Sequence, residues 1–226
     1  MGYGVRVIME GDSACFTRPE MKAERVSYDV ITPSAARGIL EAVYWHPGIT
    51  WVIDRIHVLN EIQFDSIRRN ELGSKIPFTN ITSAMKTQGK VLRQIITEDR
   101  MQRATLYLKD VKYGIEAHFI INPEKASALD TPAKHYNIFL RRVREGQFYQ
   151  KPCFGCREFP ANVSLVEDNE DFPPGYYSDN PNHDLGWMLR DMKYGENEKS
   201  ALPEFYRAVM RNGIIDVAAQ AKERVS

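Results

Sequence analysis

The stretch KYGIEAHFII, residues 112–121, alternates with a period of two. Tyr113, Ile115, Ala117, Phe119 and Ile121 share one side; Lys112, Gly114, Glu116, His118 and Ile120 share the other. This pattern predicts a β-strand with one buried face, because successive side chains in a strand point to opposite sides. Glu116 and His118 then stand side by side on the open face. The preceding RATLYLKD extends the apolar pattern, and a turn near Lys109 to Lys112 is expected to divide the whole into two strands.

Working outward, GVRVIMEG near the N-terminus reads as a first strand. TPSAARGILEAVYW reads as a helix: Thr32 suits the N-cap, Pro33 the first turn, and Ile39, Leu40, Val43 and Tyr44 recur at helical spacing. His46-Pro47-Gly48 ends it. ITWVIDRIHVLNEIQF is β-like, and ALDTPAKHYNIFLRRVREG is a second helix, capped by Asp130 or Thr131. The segment from Asp65 to Arg100 is polar and basic; it has room for a short helix but reads best as a long functional loop.

The order strand, helix, strand, loop, two strands, helix approaches the split βαβ arrangement, in which two helices cover one face of an antiparallel sheet. The expected class is α+β: a modified ferredoxin-like, RNA-recognition-motif-like domain over residues 1–150. Beyond Gln150, short β-like runs separated by Pro, Asn, Asp and Gly predict a small antiparallel β-sheet domain over residues 151–226.

Composition narrows the function classes. Of 226 residues, 43% are hydrophobic, enough for a packed core, and 30 basic residues balance 30 acidic ones. The charge is unevenly spread. Residues 61–151 hold 16 Lys and Arg against 10 Asp and Glu, whereas residues 166–198 hold 2 against 9. A basic middle fits contact with a polyanion. No apolar run approaches the roughly 20 residues of a membrane span, and no secretory signal precedes the first strand, so no membrane partner is expected. Three cysteines form no even disulfide framework, which points to a cytoplasmic, reducing setting. Cys153 and Cys156 have metal-ligand spacing, but a structural zinc wants four ligands and no second pair exists. There is no phosphate-binding loop, dinucleotide fingerprint or nucleophile elbow. No metal and no cofactor is therefore expected.

SYDVITPSAARGILEAVYWHPGITWVIDRIHVL, RATLYLKDVKYGIEAHF, CREFPANV, DLGWMLRDM and FYRAVMRNGII occur in this order along nearly the whole chain. In them the sequence resembles the fifth family of CRISPR-associated Cas proteins, and within it the type I-C subtype. The resemblance implies an endoribonuclease. It would cleave repeat hairpins in precursor crRNA without a metal and keep the 5′ handle. It would then remain in the type I-C surveillance complex, Cascade, beside backbone (seventh-family) and large (eighth-family) subunits, reaching target DNA through the complex. The alternative is a non-catalytic, handle-binding subunit. The 2′-OH beside the scissile phosphate is the nucleophile in such chemistry. The protein must align it, move two protons and stabilise extra charge on phosphorus.

The resemblance also implies site residues. Tyr44 lies in the motif Tyr44-Trp45-His46-Pro47, and His118 in Ala117-His118-Phe119. The residue two positions before the histidine, a lysine in some members of the family, is Glu116 here, and a carboxylate cannot stabilise a phosphorane as an ammonium can. Lys112 or Lys109 would supply the missing cation, and His46 is another proton carrier. Tyr44 and His118, with Lys112 as electrostatic helper, are thus the expected catalytic set. Lys86, Lys90, Arg93 and Arg103 are the expected phosphate contacts.

Overall fold

In the computed structural model, residues 3–127, 129–193 and 201–220 are described. The end of the acidic stretch, residues 194–198, lies outside them. Strand β1 (Gly4–Ala14) leads through the two-residue β2 (Arg25–Val26) to helix α1 (Pro33–Val43) and strand β3 (Ile49–Val58). Next come β4 (Gln63–Leu72), α2 (Phe78–Lys86), the long β5 (Arg100–Ile121) and α3 (Pro132–Arg144). The described chain ends with β6 (Asn162–Leu165), β7 (His183–Lys193), β8 (Leu202–Met210), β9 (Ile214–Asp216) and α4 (Val217–Gln220).

Both predicted helices form where their caps place them. The Thr32 hydroxyl accepts the Ala35 N–H at 3.2 Å, and the Thr131 hydroxyl accepts the Lys134 N–H at 3.3 Å. Each helix opens with proline at its first position. At the far end of α1, Arg142 donates to the Val43 carbonyl at 2.8 Å, while Tyr149 and Gln150 cover that of Ala42. Carbonyls left bare by the helix end are thus satisfied from α3 and the chain beyond it.

β5 is the spine. Its residues 108–118 pair with β1, and its residues 113–121 pair with β3. The strand order β6-β1-β5-β3 completes the split βαβ core, with α1 and α3 on one face. Val7, Met9, Ile56 and Ile115 fill the space beneath the helices with Leu40 and Phe139, all essentially without solvent contact. Within KYGIEAHFII, Tyr113, Ile115, Ala117 and Phe119 are buried, as the period of two predicts.

Three expectations change. First, β5 is one strand of 22 residues, not two with a turn. Asp110 takes up the irregularity at φ 50°, a conformation aspartate tolerates, at the point where β5 passes from β3 to β4 as partner. Second, residues 65–100 are not a loop. β4 pairs with β5 from Gln63↔Lys109 to Leu72↔Arg100, and α2 follows, so this region is a two-stranded arm with a helix near its tip. No residue of α2 is buried. Third, the expected C-terminal sheet is reduced to the hairpin β7–β8. β6 pairs with β1 and β9 with β3, so both belong to the large sheet although they lie beyond residue 150. The hairpin shares the core through Leu185, Met188, Tyr206, Ala208 and Met210.

One irregularity positions chemistry. Along β3 the register with β5 slips between Ile53↔Ala117 and Arg55↔Glu116, leaving Asp54 as an extra residue. Such a bulge aims two consecutive side chains toward one side. Trp51 and Ile53 before it, and Ile56 and Val58 after it, all face the core. Asp54 and Arg55 both remain on the opposite face.

Candidate active site

The face of the sheet turned away from the helices carries Arg6 from β1, Asp54, Arg55 and His57 from β3, and Glu116 and His118 from β5. His118 Nδ1 lies 2.8 and 3.0 Å from the two oxygens of Asp54. A carboxylate only accepts, so Nδ1 carries the proton and donates it to Asp54. Nε2 is then the nitrogen left for chemistry. The pair lines a cavity of about 660 Å³ with Ser34 and Arg37 of α1, Thr50 of β3, and Arg190 and Asp191 of β7.

Two residues along β5 and opposite β3, a second pair forms. His57 Nε2 lies 2.8 Å from Glu116 Oε1, and Arg55 lies 3.5 Å from Glu116 Oε2. Glu116, where the family's lysine is expected, thus sits between a histidine and an arginine. A roof closes over this end. Phe172 stacks on His57 at 4.4 Å between ring centroids, and Arg6 lies over the Phe172 ring at 5.4 Å. Gly114 makes room for it: a Cβ there would stand 2.6 Å from the Phe172 ring. The acidic segment that carries Phe172 is held by Arg6, which donates to the carbonyls of Glu167 and Glu170. It therefore covers part of the face expected to be open.

Tyr44 stands on the other side of the sheet. Its hydroxyl is 2.7 Å from His135 Nδ1, and its ring packs under the Arg142 guanidinium at 5.1 Å. Burial pushes its phenol pKa up, with Asp130 adding to the shift and Arg142 opposing it. Phe119 packs against Trp51 and His135 on this side, so its neighbour His118 must leave the strand on the other. The structure therefore does not bring Tyr44 and His118 together.

Tyr44 belongs instead to a network with His46, Asp130 and His135. His135 is fully buried; its Nε2 lies 3.5 Å from Asp130 Oδ1, and His46 Nε2 lies 3.8 Å from the same oxygen. The Ser127 N–H, Lys134 and the Ser127 hydroxyl hold Asp130 well below the usual carboxylate range. Burial, assisted by His46, lowers the pKa of His135. The three groups lie close enough to hold a metal ion. However, the Gly48 N–H donates to His46 Nδ1 at 3.1 Å, which places the neutral ring's proton on Nε2. The Asp130 carboxylate, 3.5 Å from His135 Nε2, favours the proton on that nitrogen, which leaves Nδ1 to accept from the Tyr44 hydroxyl. Both imidazoles then turn N–H groups rather than lone pairs toward Asp130, and the cluster is an electrostatic network around one carboxylate.

Lys112 also stands apart from His118. Its ammonium is 3.0 Å from Glu10 on β1, and six residues of strand separate it from His118, about 20 Å at the usual rise. Lys86 ends α2, Lys90 and Arg93 follow it, and Arg103 lies on the β5 side of the arm. Lys90 donates to the Ser83 hydroxyl at 2.8 Å and Arg103 approaches Glu71 at 3.6 Å. Fifteen residues of β5 separate Arg103 from His118, so the arm reaches up to about 50 Å from the cavity. Cys153 and Cys156 bracket a turn around Gly155, at φ 79°, which presses on the Cys15 backbone. The Cys156 thiol beside it lowers the pKa of Cys15 against the effect of burial, with Thr17 assisting.

Asp54 and Arg190 escape a reading of the sequence alone. Asp54 left one trace: the core phase shifts from Trp51 and Ile53 to Ile56 and Val58, which requires an extra residue between them. Arg190 left none, since its place depends on how β7 packs against α1.

A split βαβ sheet with an exposed histidine–carboxylate pair and a projecting basic arm defines a protein of the RNA-recognition-like α+β class. The chain belongs to the Cas5d family: the family described as CRISPR-associated protein (Cas_Cas5) matches residues 4–218. It is 50% identical over 227 aligned residues to a Mannheimia succiniciproducens protein named CRISPR pre-crRNA endoribonuclease Cas5d, covering 100% of this chain and 99% of that one. A Thermus thermophilus protein of the same name is 36% identical, over 96% of this chain and 92% of that one. Among solved structures, a CRISPR-associated protein superimposes with a TM-score of 0.70 at 28% identity, covering 98% of this chain and 95% of that one. A component of a CRISPR RNA-guided surveillance complex shares the fold at a TM-score of 0.53 and 14% identity, over 91% and 88% of the two chains. No described helix is long and apolar enough to cross a membrane.

Proposed function

We propose that this chain is a pre-crRNA endoribonuclease that cleaves repeat hairpins and keeps the 5′ handle. The observation that carries this reading is the full-length, 50% identity to a protein of that name. Backbone and large subunits of the surveillance complex are the protein partners this reading implies, and the crRNA repeat is the nucleic-acid partner.

His118 is the proton carrier of the reaction. Asp54 accepts its Nδ1–H, fixes the tautomer and leaves Nε2 free toward the cavity. Nε2 takes the proton of the 2′-OH as the 2′-oxygen bonds to phosphorus. The bond from phosphorus to the 5′-oxygen breaks, that oxygen takes a proton from solvent, and the His118 imidazolium returns to solvent the proton it took from the 2′-OH. The products are a 2′,3′-cyclic phosphate and a 5′-OH. Because the nucleophile belongs to the RNA, the step requires no metal-activated water. Tyr44 acts from the other side of the sheet, as part of the network that anchors α3 beneath Phe119. The arm, through Lys86, Lys90, Arg93 and Arg103, holds RNA phosphates away from the cut and sets the salt dependence of binding.

The cognate repeat hairpin incubated with the protein in EDTA tests the reading. Cleavage is expected for the all-ribose hairpin and none when the nucleotide at the cut carries 2′-deoxyribose. An all-ribose hairpin that binds but stays whole would instead make the chain a handle-binding subunit without catalysis.

A further inference from the structure

The site as built from His118 and Asp54 lacks a cation, because Glu116 replaces the expected lysine and Lys112 is distant. We propose that Arg190, on the C-terminal hairpin, supplies the positive charge that stabilises the scissile phosphate during cleavage. The proposal rests on the reading of His118 as the proton carrier.

Three observations converge on Arg190. It lines the same cavity as His118 and Asp54, although it is contributed by a different part of the chain. The other charges of that cavity are already matched. Arg37 and Asp191 form a two-pronged pair, one contact of which is 2.7 Å, and Asp54 is engaged by His118 at 2.8 Å. Among the described residues Arg190 has no ion-pair or hydrogen-bond partner, so the guanidinium is the uncommitted charge of the cavity.

Its placement is also constrained by the fold. The register of β7 against β8 slips between Leu189↔Phe205 and Asp191↔Glu204, which makes Arg190 the extra residue of a bulge. The next residue, Asp191, is clamped to α1 through Arg37, so the bulge is fixed beside the first turn of that helix. Asp54 is the extra residue of the bulge on β3. Two bulges on two different sheets therefore place Asp54 and Arg190 in the lining of one cavity, and bulges characteristically re-aim side chains in this way. A guanidinium suits the task. Its fork matches two non-bridging phosphate oxygens, it stays charged at every relevant pH, and its stabilisation grows as charge accumulates on phosphorus.

The test is single-turnover cleavage of the repeat hairpin in EDTA at saturating protein, with affinity measured separately by filter binding. Arg190→Ala is expected to slow cleavage about 100-fold to 1,000-fold, the range for loss of one transition-state donor. Hairpin affinity should change by no more than about threefold, since many other phosphate contacts remain. Added guanidinium ion should restore part of the Arg190→Ala rate, and Arg190→Lys should retain an intermediate rate; neither follows from a merely structural role. If the alanine variant melts early, Arg190→Met keeps the side chain's packing and gives the same readout. Cleavage by these variants at the wild-type rate, while His118→Ala is inactive, would overturn the arginine assignment alone. Wild-type cleavage by His118→Ala would overturn the site itself and the arginine with it. Loss of cleavage that guanidinium cannot restore, with lysine no better than methionine, would make Arg190 structural and also overturn the proposal.

Discussion

Two histidine–carboxylate pairs stand on one face of one sheet, His57–Glu116 and His118–Asp54, with the same 2.8 Å contact. Their surroundings differ. The His57 side chain is 15% exposed under the Phe172 roof, whereas that of His118 is 36% exposed at the mouth of a cavity. Their wiring differs too. His57 meets its carboxylate through Nε2, and Glu116 is shared with Arg55, so the charge there is matched within the protein. His118 meets its partner through Nδ1 and keeps Nε2 free. The same imidazole–carboxylate contact at the same distance thus gives a structural tie at one end and a candidate catalyst at the other.

The largest expected separation between the pairs is in rate. His118→Ala should slow single-turnover hairpin cleavage about 1,000-fold, within the range for general acid–base groups. His57→Ala should stay within about threefold of wild type in the same assay, because His57 contacts no reacting group on this reading. Next is Asp54→Asn, which keeps the shape of the dyad but removes the charge that orients the imidazole; a loss of about 10-fold to 100-fold is expected, with hairpin affinity unchanged. Third is the roof. Gly114→Val drives a side chain into the Phe172 ring and should cost about 1–3 kcal/mol in urea unfolding, as overpacking does. Ile120→Val at the open end, where Ile120 is 54% exposed, should change stability by less than about 0.5 kcal/mol.

Smaller effects concern regions away from both pairs. Replacing Lys86, Lys90 and Arg93 together by alanine should reduce the slope of log affinity against log salt by about one for each phosphate no longer neutralised. Cleavage at saturating protein should be unchanged. On the helix side, His135 titrates below an ordinary histidine. Below about pH 6.5 the unfolded chain takes up a proton that folded His135 resists. Its contribution to stability is therefore complete above that pH and is lost as pH falls through the lowered folded value. His135→Gln should flatten the decline of the urea midpoint between pH 8 and pH 5.

Much of the fold was legible where one face of an element is buried. KYGIEAHFII, the two Pro-led helices and GVRVIMEG all carry a period that burial imposes, and each appears where that period predicts it. β4 did not reveal itself, because nearly every residue from Gln63 to Leu72 is exposed and no face is selected. Asp110 suggested a chain reversal, but a single left-handed residue served to change partners within one strand. β6 and β9 are four and three residues long, too short to show which sheet they join. At the site, His118 was found by motif and orientation. Its relation to Tyr44 depends on which side of the sheet α1 delivers its last residue, and a strand's periodicity carries no information about that.

The bulge at Asp54 gives the site an arithmetic basis. In a strand of period two, parity decides which side chains meet water, and one additional residue reverses parity for everything on one side of it. Were β3 to alternate regularly from end to end, either Trp51 and Ile53 or Ile56 and Val58 would be turned out of the core. Without Asp54 the same four residues would fall in phase and the core would close unaided. The carboxylate therefore stands at the one position that the packing of β3 does not require. Its location is encoded less by its own identity than by the spacing of four hydrophobic neighbours.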